Sequence, residues 1–300
     1  MKLPLVPALR FAAWSGFFAL ASLSAAAQVL IVRSGNSERS VAICSGFVQG
    51  ALTADVAGLD YNQIQWNGDG GAAAMVEAVR GKNAKVVFTD SVGAAQALLA
   101  GLPELRVVLA VPEDPRKAKI DNNARLTVIH PLVSADKLFG LIQKNLKLRR
   151  LVTPRLAGAP KGLPDAYFND KRVALIELEV DGAESLGGLS GALDGADGVL
   201  LVPGALPRSA ETAAAVLRIA NEHKKPVISL DPEWVPLGVA LAIYADPGEI
   251  GSAAGPLAAS ALTSGSRNAY VTTVSIAVRK GAAGKAGFDL KGLTLTRQYE

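Results

Sequence analysis

The sequence predicts an α/β protein of two lobes, each a mostly parallel sheet flanked by helices. Two observations carry that expectation. From Gln28 onward, short runs of Val, Ile and Leu alternate with Ala-rich amphipathic stretches, which is the pattern of stacked βα units. The apolar runs are also continuous, as strands buried on both faces require. About 270 residues follow the N-terminal segment, enough to bury two cores.

The elements follow in chain order. In the first lobe, strands are expected at residues 29–32, 63–66, 85–88, 106–111 and 126–129, with helices at 37–55, 71–80 and 91–100. Ser37 and Ser91 stand where N-caps belong. A second set opens with a helix at 134–148 behind Ser134, followed by strands at 151–152, 172–178, 198–202 and 226–230. Helices are expected between them at 183–193 and at 209–223, the latter behind Ser209. The stretch 153–170 holds Pro154, Pro160, Pro164, Gly158 and Gly162, so a loop is expected where a βα unit normally has its crossover helix. A strand at 240–244, a helix at 247–264, a strand at 270–278 and a Gly-rich tail complete the chain.

Residues 1–27 read as an export signal. Lys2 and Arg10 supply positive charge, Phe11 to Leu23 an apolar run, and Ala25-Ala26-Ala27 a small-residue cleavage site. The run is short of the about 20 apolar residues that a membrane span needs, and Ser15, Gly16 and Ser22 interrupt it. No Cys follows the cleavage site, so a lipid anchor is not expected and the location implied is a periplasm. Cys44 is the single cysteine, which leaves stability to packing. Its helical spacing with Val41, Val48 and Leu52 suggests a core-facing stripe.

Charge and motifs exclude several function classes. The chain has 31 basic and 27 acidic residues, and the leader holds two of the basic ones, so what remains is nearly balanced. That excess is too thin for a nucleic-acid groove. His130 and His223, the only histidines, lack the neighbours of a metal site. Gly68-Asp69-Gly70-Gly71 lacks the Lys-Ser/Thr of a phosphate loop, and Gly-x-Ser-x-Gly is absent. Cys44 has no base in its vicinity of the sequence. No enzyme, cofactor or metal is expected.

Three stretches together resemble a known family. They are Val86-Val87-Phe88-Thr89-Asp90-Ser91-Val92-Gly93-Ala94-Ala95-Gln96-Ala97-Leu98, then Val107-Val108-Leu109-Ala110-Val111-Pro112-Glu113-Asp114-Pro115, and finally Gly238 to Tyr244 with Gly251, Ala258-Ala259 and Gly265. This arrangement is similar to the bacterial ABC transporter substrate-binding family, of the type I periplasmic binding-protein fold, near its tryptophan and tyrosine uptake components. The resemblance implies a monomeric receptor for a small amino acid-like ligand, working with an inner-membrane ABC permease. It also implies a signal peptide at 1–27, a first lobe of 28–130 plus about 241–268, and a second lobe of 131–240 plus about 269–300. The missing crossover helix and Arg279-Lys280, where the family has Asn, leave open an alternative: an exported interaction protein that kept the scaffold without transport.

A ligand is expected at the strand C-terminal ends, where helix N-termini point backbone N–H groups into a crevice. The first lobe offers Ser34, Asn36, Thr89, Ser91, Glu113 and Asp114; the second offers Arg208, Asp231 and Trp234. A zwitterion fits them, with its carboxylate on Thr89 and Ser91, its ammonium near Glu113, Asp114 or Asp231, and Trp234 stacking or covering. Ser91 as a plain cap and Asp114 and Asp231 as Asp-Pro turn residues explain the same positions. Arg208 opens a helix, where the dipole disfavours a positive charge, so it either serves an anionic group or stands solvated at little cost.

Overall fold

A computed structural model of the chain describes residues 28–110, 123–159, 162–182, 186–263 and 268–300. Residues 1–27, read above as an export signal, and Glu113 and Asp114, expected at a ligand, lie outside the described residues. The first lobe runs β1 (Val29–Arg33), α1 (Glu38–Thr53), β2 (Leu59–Gln65), α2 (Ala72–Gly81), β3 (Val86–Thr89), α3 (Val92–Gly101), β4 (Arg106–Ala110) and β5 (Leu126–Val133). The second continues with α4 (Ala135–Leu141), β6 (Arg150–Leu156), α5 (Asp165–Phe168), β7 (Ala174–Val180), α6 (Leu189–Leu193), β8 (Gly198–Leu201), α7 (Ala210–Glu222) and β9 (Val227–Ser229). The remainder comprises β10 (Leu241–Tyr244), α8 (Pro247–Thr263), β11 (Ala269–Val271), β12 (Ser275–Arg279), α9 (Lys280–Lys285) and β13 (Leu295–Tyr299). No described helix is long and apolar enough to cross a membrane.

Two sheets result, as expected. The first has six strands in the order β11-β5-β4-β3-β1-β2, all parallel. The second has seven, β13-β12-β10-β9-β8-β6-β7, with the β10–β12 pair its one antiparallel pairing among the described residues. Burial on both faces explains the continuous apolar runs. Val29 and Ile31 of β1 face the core under α1 and α8, while Leu30 and Val32 face the one under α2 and α3. In the second lobe Leu200 and Ile228 look one way, Val199, Leu201 and Val227 the other.

Three expectations need correction. The strand expected at 270–278 is two strands, and they belong to different sheets: β11 closes the first and β12 joins the second. β10 lies in the second sheet, so the stretch 241–268 does not belong wholly to the first lobe; only α8 returns to pack on β3, β4 and β5. Along α1 the buried stripe is Ile43, Cys44, Phe47 and Ala51, whereas Val41 and Leu52 are exposed, because the helix is rotated toward α8. The Gly-rich tail forms α9 and the edge strand β13.

Pro154 stands inside β6 rather than in a loop. The strand pairs with β7 along residues 150–156, but with β8 only at Leu151 and Val152. Proline therefore sits where the β8 side is already free, and its missing N–H leaves no ladder bond unmade. Among its described residues, the connection that follows has the single turn α5 as its helix. Tyr167 of that turn is buried and donates a hydrogen bond from its hydroxyl to the Val133 carbonyl at 2.5 Å, which ties the second lobe to the end of β5.

Three described segments cross between the lobes: β5 into α4, β10 into α8, and β11 into β12. The first and third lie side by side, since Ser134 N donates to Val271 O at 2.8 Å. The second is held by the contact of α1 with α8. These helices run parallel and meet at glycines: a Cβ added at Gly46 would lie 2.0 Å from Gly248 O, and one at Gly251 would lie 1.9 Å from Ile43 O. Phe47 of α1 then reaches the sheet and stacks on Phe88, ring centroids 3.9 Å apart. Gly251→Ala is expected to destabilise the protein by about 1–3 kcal/mol or more through overpacking against backbone that has nowhere to go. Gly281→Ala, in α9 with open space around it, serves as the control whose melting temperature stays put.

Candidate functional site

The parallel ladders bring the expected turns to one edge of each sheet. In the first lobe, Ser37 caps α1 by accepting Ser40 N–H at 3.2 Å, and Ser91 caps α3 by accepting Ala94 N–H at 3.2 Å. Asp90, nearly buried, joins the two turns: Ser34 donates its N–H to Oδ1 at 2.6 Å and its hydroxyl to Oδ2 at 2.7 Å. Asn36 Oδ1 accepts from Arg33 Nη2 at 2.6 Å. Ser34 and Asn36 remain exposed at the edge, and Ser91 is half-buried.

Thr89 does not fit its expected role. It is fully buried, and its hydroxyl oxygen accepts the Ser91 N–H at 3.2 Å, so it shapes the turn from inside and offers nothing to a ligand carboxylate. Trp234 is corrected as well. It is only 2% exposed and packs in the core under α6 and α7 with Val152, Val216 and Val239, because the turn of Pro232–Trp234 folds its ring inward.

Arg208 and Asp231 are brought together, Arg208 Nη1 lying 2.8 Å from Asp231 Oδ2. The anionic group beside Arg208 is thus a carboxylate of the protein itself. Asp231 Oδ1 also accepts the Glu233 N–H at 3.1 Å, which fixes the carboxylate at the end of β9. Half of the Arg208 side chain stays exposed, so exposure weakens this pair without hiding it.

One residue was missed by reading the sequence. Arg39, in the first turn of α1, is solvent-exposed, yet the protein mass around it disfavours its charge and lowers its pKa, while the Asp231 carboxylate acts in the opposite sense. Arg39 thus reaches water while protein surrounds much of it, and the Asp231 carboxylate at the end of β9 lies near enough for its charge to act on it. Arg39 has no ion pair within 4 Å among the described residues. The signal was in reach: a positive charge in the first turn of a helix opposes its dipole at position 39 as it does at 208. Together Arg39, Asp231 and Arg208 carry one net positive charge, and Arg39 stands in the first turn of α1.

Against known proteins, this architecture finds a counterpart. The ligand-free, open structure of CD0873, a substrate-binding protein with adhesive properties from Clostridium difficile, superposes with a TM-score of 0.63 at 17% identity, covering 91% of this chain and 98% of that one. The chain has the two-lobed periplasmic binding-protein fold. Looser likenesses, with TM-scores of 0.49 and 0.47, are a conserved domain protein from Vibrio cholerae (17% identity, 91% and 100% covered) and an ABC domain in complex with L-Trp from Streptococcus pneumonia (16% identity, 90% and 100% covered). No protein-family model and no curated protein matches the sequence.

In this binding-protein fold Cys44 is a core residue on the buried face of α1. Burial pushes its thiol up to about 12, with Asp90 adding to the rise and Arg33 opposing it. Because the folded thiol resists ionisation, its contribution to stability is intact below the ordinary value of 9.0 and is lost as pH climbs from there toward 12. The native protein at pH 8 is therefore expected to resist Ellman's reagent, with one thiol released only on unfolding in denaturant. Rapid labelling of the native chain would show the helix contact to be open.

Proposed function

We propose that the chain is an exported solute receptor: residues 1–27 direct it to a periplasm, and it binds a small amino acid-like carboxylate between its lobes. Arg39 carries this reading, as an exposed guanidinium with no ion pair among the described residues that feels the charge of Asp231, a carboxylate of the other lobe paired with Arg208. The ligand carboxylate sits on Arg39 beside the first-turn amides of α1 and α3, and the ligand ammonium on Asp231, with Ser34 and Ser91 at the margin. These contacts span the crevice only when it is closed. Driving a mostly open receptor to mostly closed takes about 5 kcal/mol of differential affinity. Two or three charge-assisted hydrogen bonds of about 1.5–3 kcal/mol each supply it. The closed form is what an inner-membrane ABC permease reads. The work is binding, with a single chain per ligand.

A second reading, an exported interaction protein on the same scaffold, draws support from the adhesive properties named for the Clostridium difficile protein. A thermal-shift screen of the chain from residue 28 against amino acids and other small carboxylates separates the two, since a ligand stabilises by RT ln(1 + [L]/Kd). The expected result is a rise in melting temperature with one carboxylate class. In Arg39→Ala, calorimetry is expected to show affinity lower by about 10–100-fold at an unchanged ligand-free melting temperature. Failure of every small carboxylate to stabilise the protein would favour the interaction scaffold.

A further inference from the structure

Outside the crevice, the second lobe holds a cluster that the solute-receptor reading leaves unused. Ser190 lies in α6, Asp194 ends that helix, and His223 ends α7. Ser190 Oγ is 2.8 Å from His223 Nε2, and His223 Nδ1 is 3.3 Å from Asp194 Oδ1. A histidine at a helix C-terminus ordinarily serves the last carbonyls of its own helix. Here both ring nitrogens are turned to α6 instead. With the imidazole proton on Nδ1, toward the carboxylate, the Nε2 lone pair is free to accept from the serine hydroxyl.

The packing holds this order in place. Ser190 and Asp194 are four residues apart and share one face of α6, so a single imidazole spans both. Leu189 and Leu193 anchor α6 in the core, and Ile219 and Ala220 anchor the end of α7. Access is open: Ser190 is exposed, and a Cβ built at the next residue, Gly191, or three residues earlier at Gly187, meets nothing within 4 Å. The serine–imidazole distance lies within the reach that proton abstraction needs.

We propose that Ser190, His223 and Asp194 form a second, catalytic site that accepts small acyl groups from activated carboxylic esters. The Ser190 oxygen attacks the ester carbonyl carbon while its proton passes to His223 Nε2. The tetrahedral adduct collapses, the bond to the leaving oxygen breaks, and that oxygen takes the proton from Nε2. Water then attacks the acyl-serine in the same way, returning the serine and releasing the carboxylic acid, so ester and water become acid and alcohol. Small acyl groups are specified because the serine lies on an open surface that gives a long chain nothing to pack against.

The test uses the chain from residue 28 with p-nitrophenyl acetate, following nitrophenolate release and mapping acetylated peptides by mass spectrometry. Acetyl-Ser190 is expected to form at least about tenfold faster than on any other hydroxyl, given the 10²–10⁴-fold that a positioned base contributes. Ser190→Ala should remove the burst, and His223→Gln should slow Ser190 acetylation by about tenfold or more at an unchanged melting temperature. Acetylation confined to lysines, or a burst that persists in Ser190→Ala, overturns the proposal.

Discussion

The close passage of α1 against α8 is the constraint on which the rest of the fold depends. Gly46, Gly50, Gly251 and Gly255 let the two backbones approach until any side chain between them would collide with main-chain atoms. Such a seam is favourable because packed backbone gains many small dispersion contacts at once. It is also unforgiving, because main chain cannot rotate away as a side chain can. The chain leaves the second sheet at β10, and the seam is what returns it to the first, seating α8 over β3, β4 and β5. A lobe boundary drawn on sequence position alone misses this, since one helix and its preceding strand serve different sheets.

That seam also sets where the first turn of α1 lies. It carries Arg39, on which the Asp231 charge of the second lobe acts, while Asp90 holds Ser34 just ahead of the helix. On the far side Arg208 and Asp231 neutralise each other only in part, since half of the Arg208 side chain is in water. Charges that are exposed yet enclosed keep much of their mutual field without the full penalty of burial. The hinge itself is apolar: the core under α1 and α8 continues without a break into that under α4 and α9. One cysteine and no disulfide suffice because this continuous packing spans both lobes.

Much of the fold was legible because strands buried on both faces must be apolar throughout, and those runs, such as residues 29–32 and 86–88, are visible without neighbours. The helix caps at Ser37, Ser91 and Ser209 were legible for a similar local reason, each accepting an N–H three residues on. Pro154 misled, because proline forbids a strand only where both sides of the strand are paired. The stretch 270–278 misled because its composition is uniform while its two halves answer to different sheets. Within the candidate site, turn position brought Ser34, Asn36, Ser91, Arg208 and Asp231 to the sheet edges, but it could not tell Thr89 from Ser91. The direction of a side chain at a strand end depends on the local turn, which set Thr89 inward. Trp234 was sent into the core by the turn after Asp231.

By itself, then, the sequence determined the α/β class, the parallel sheets and the strand ends with their capped helix starts, since periodicity and capping act over a few residues. Only the tertiary structure decided which sheet each late strand joins, that the Asp231 charge acts on Arg39, and that His223 lies between Ser190 and Asp194. Those facts join residues far apart in the chain, and what fixes them is the fit of α1 to α8 and of α6 to α7, where shape and packing distance rather than local preference set the outcome.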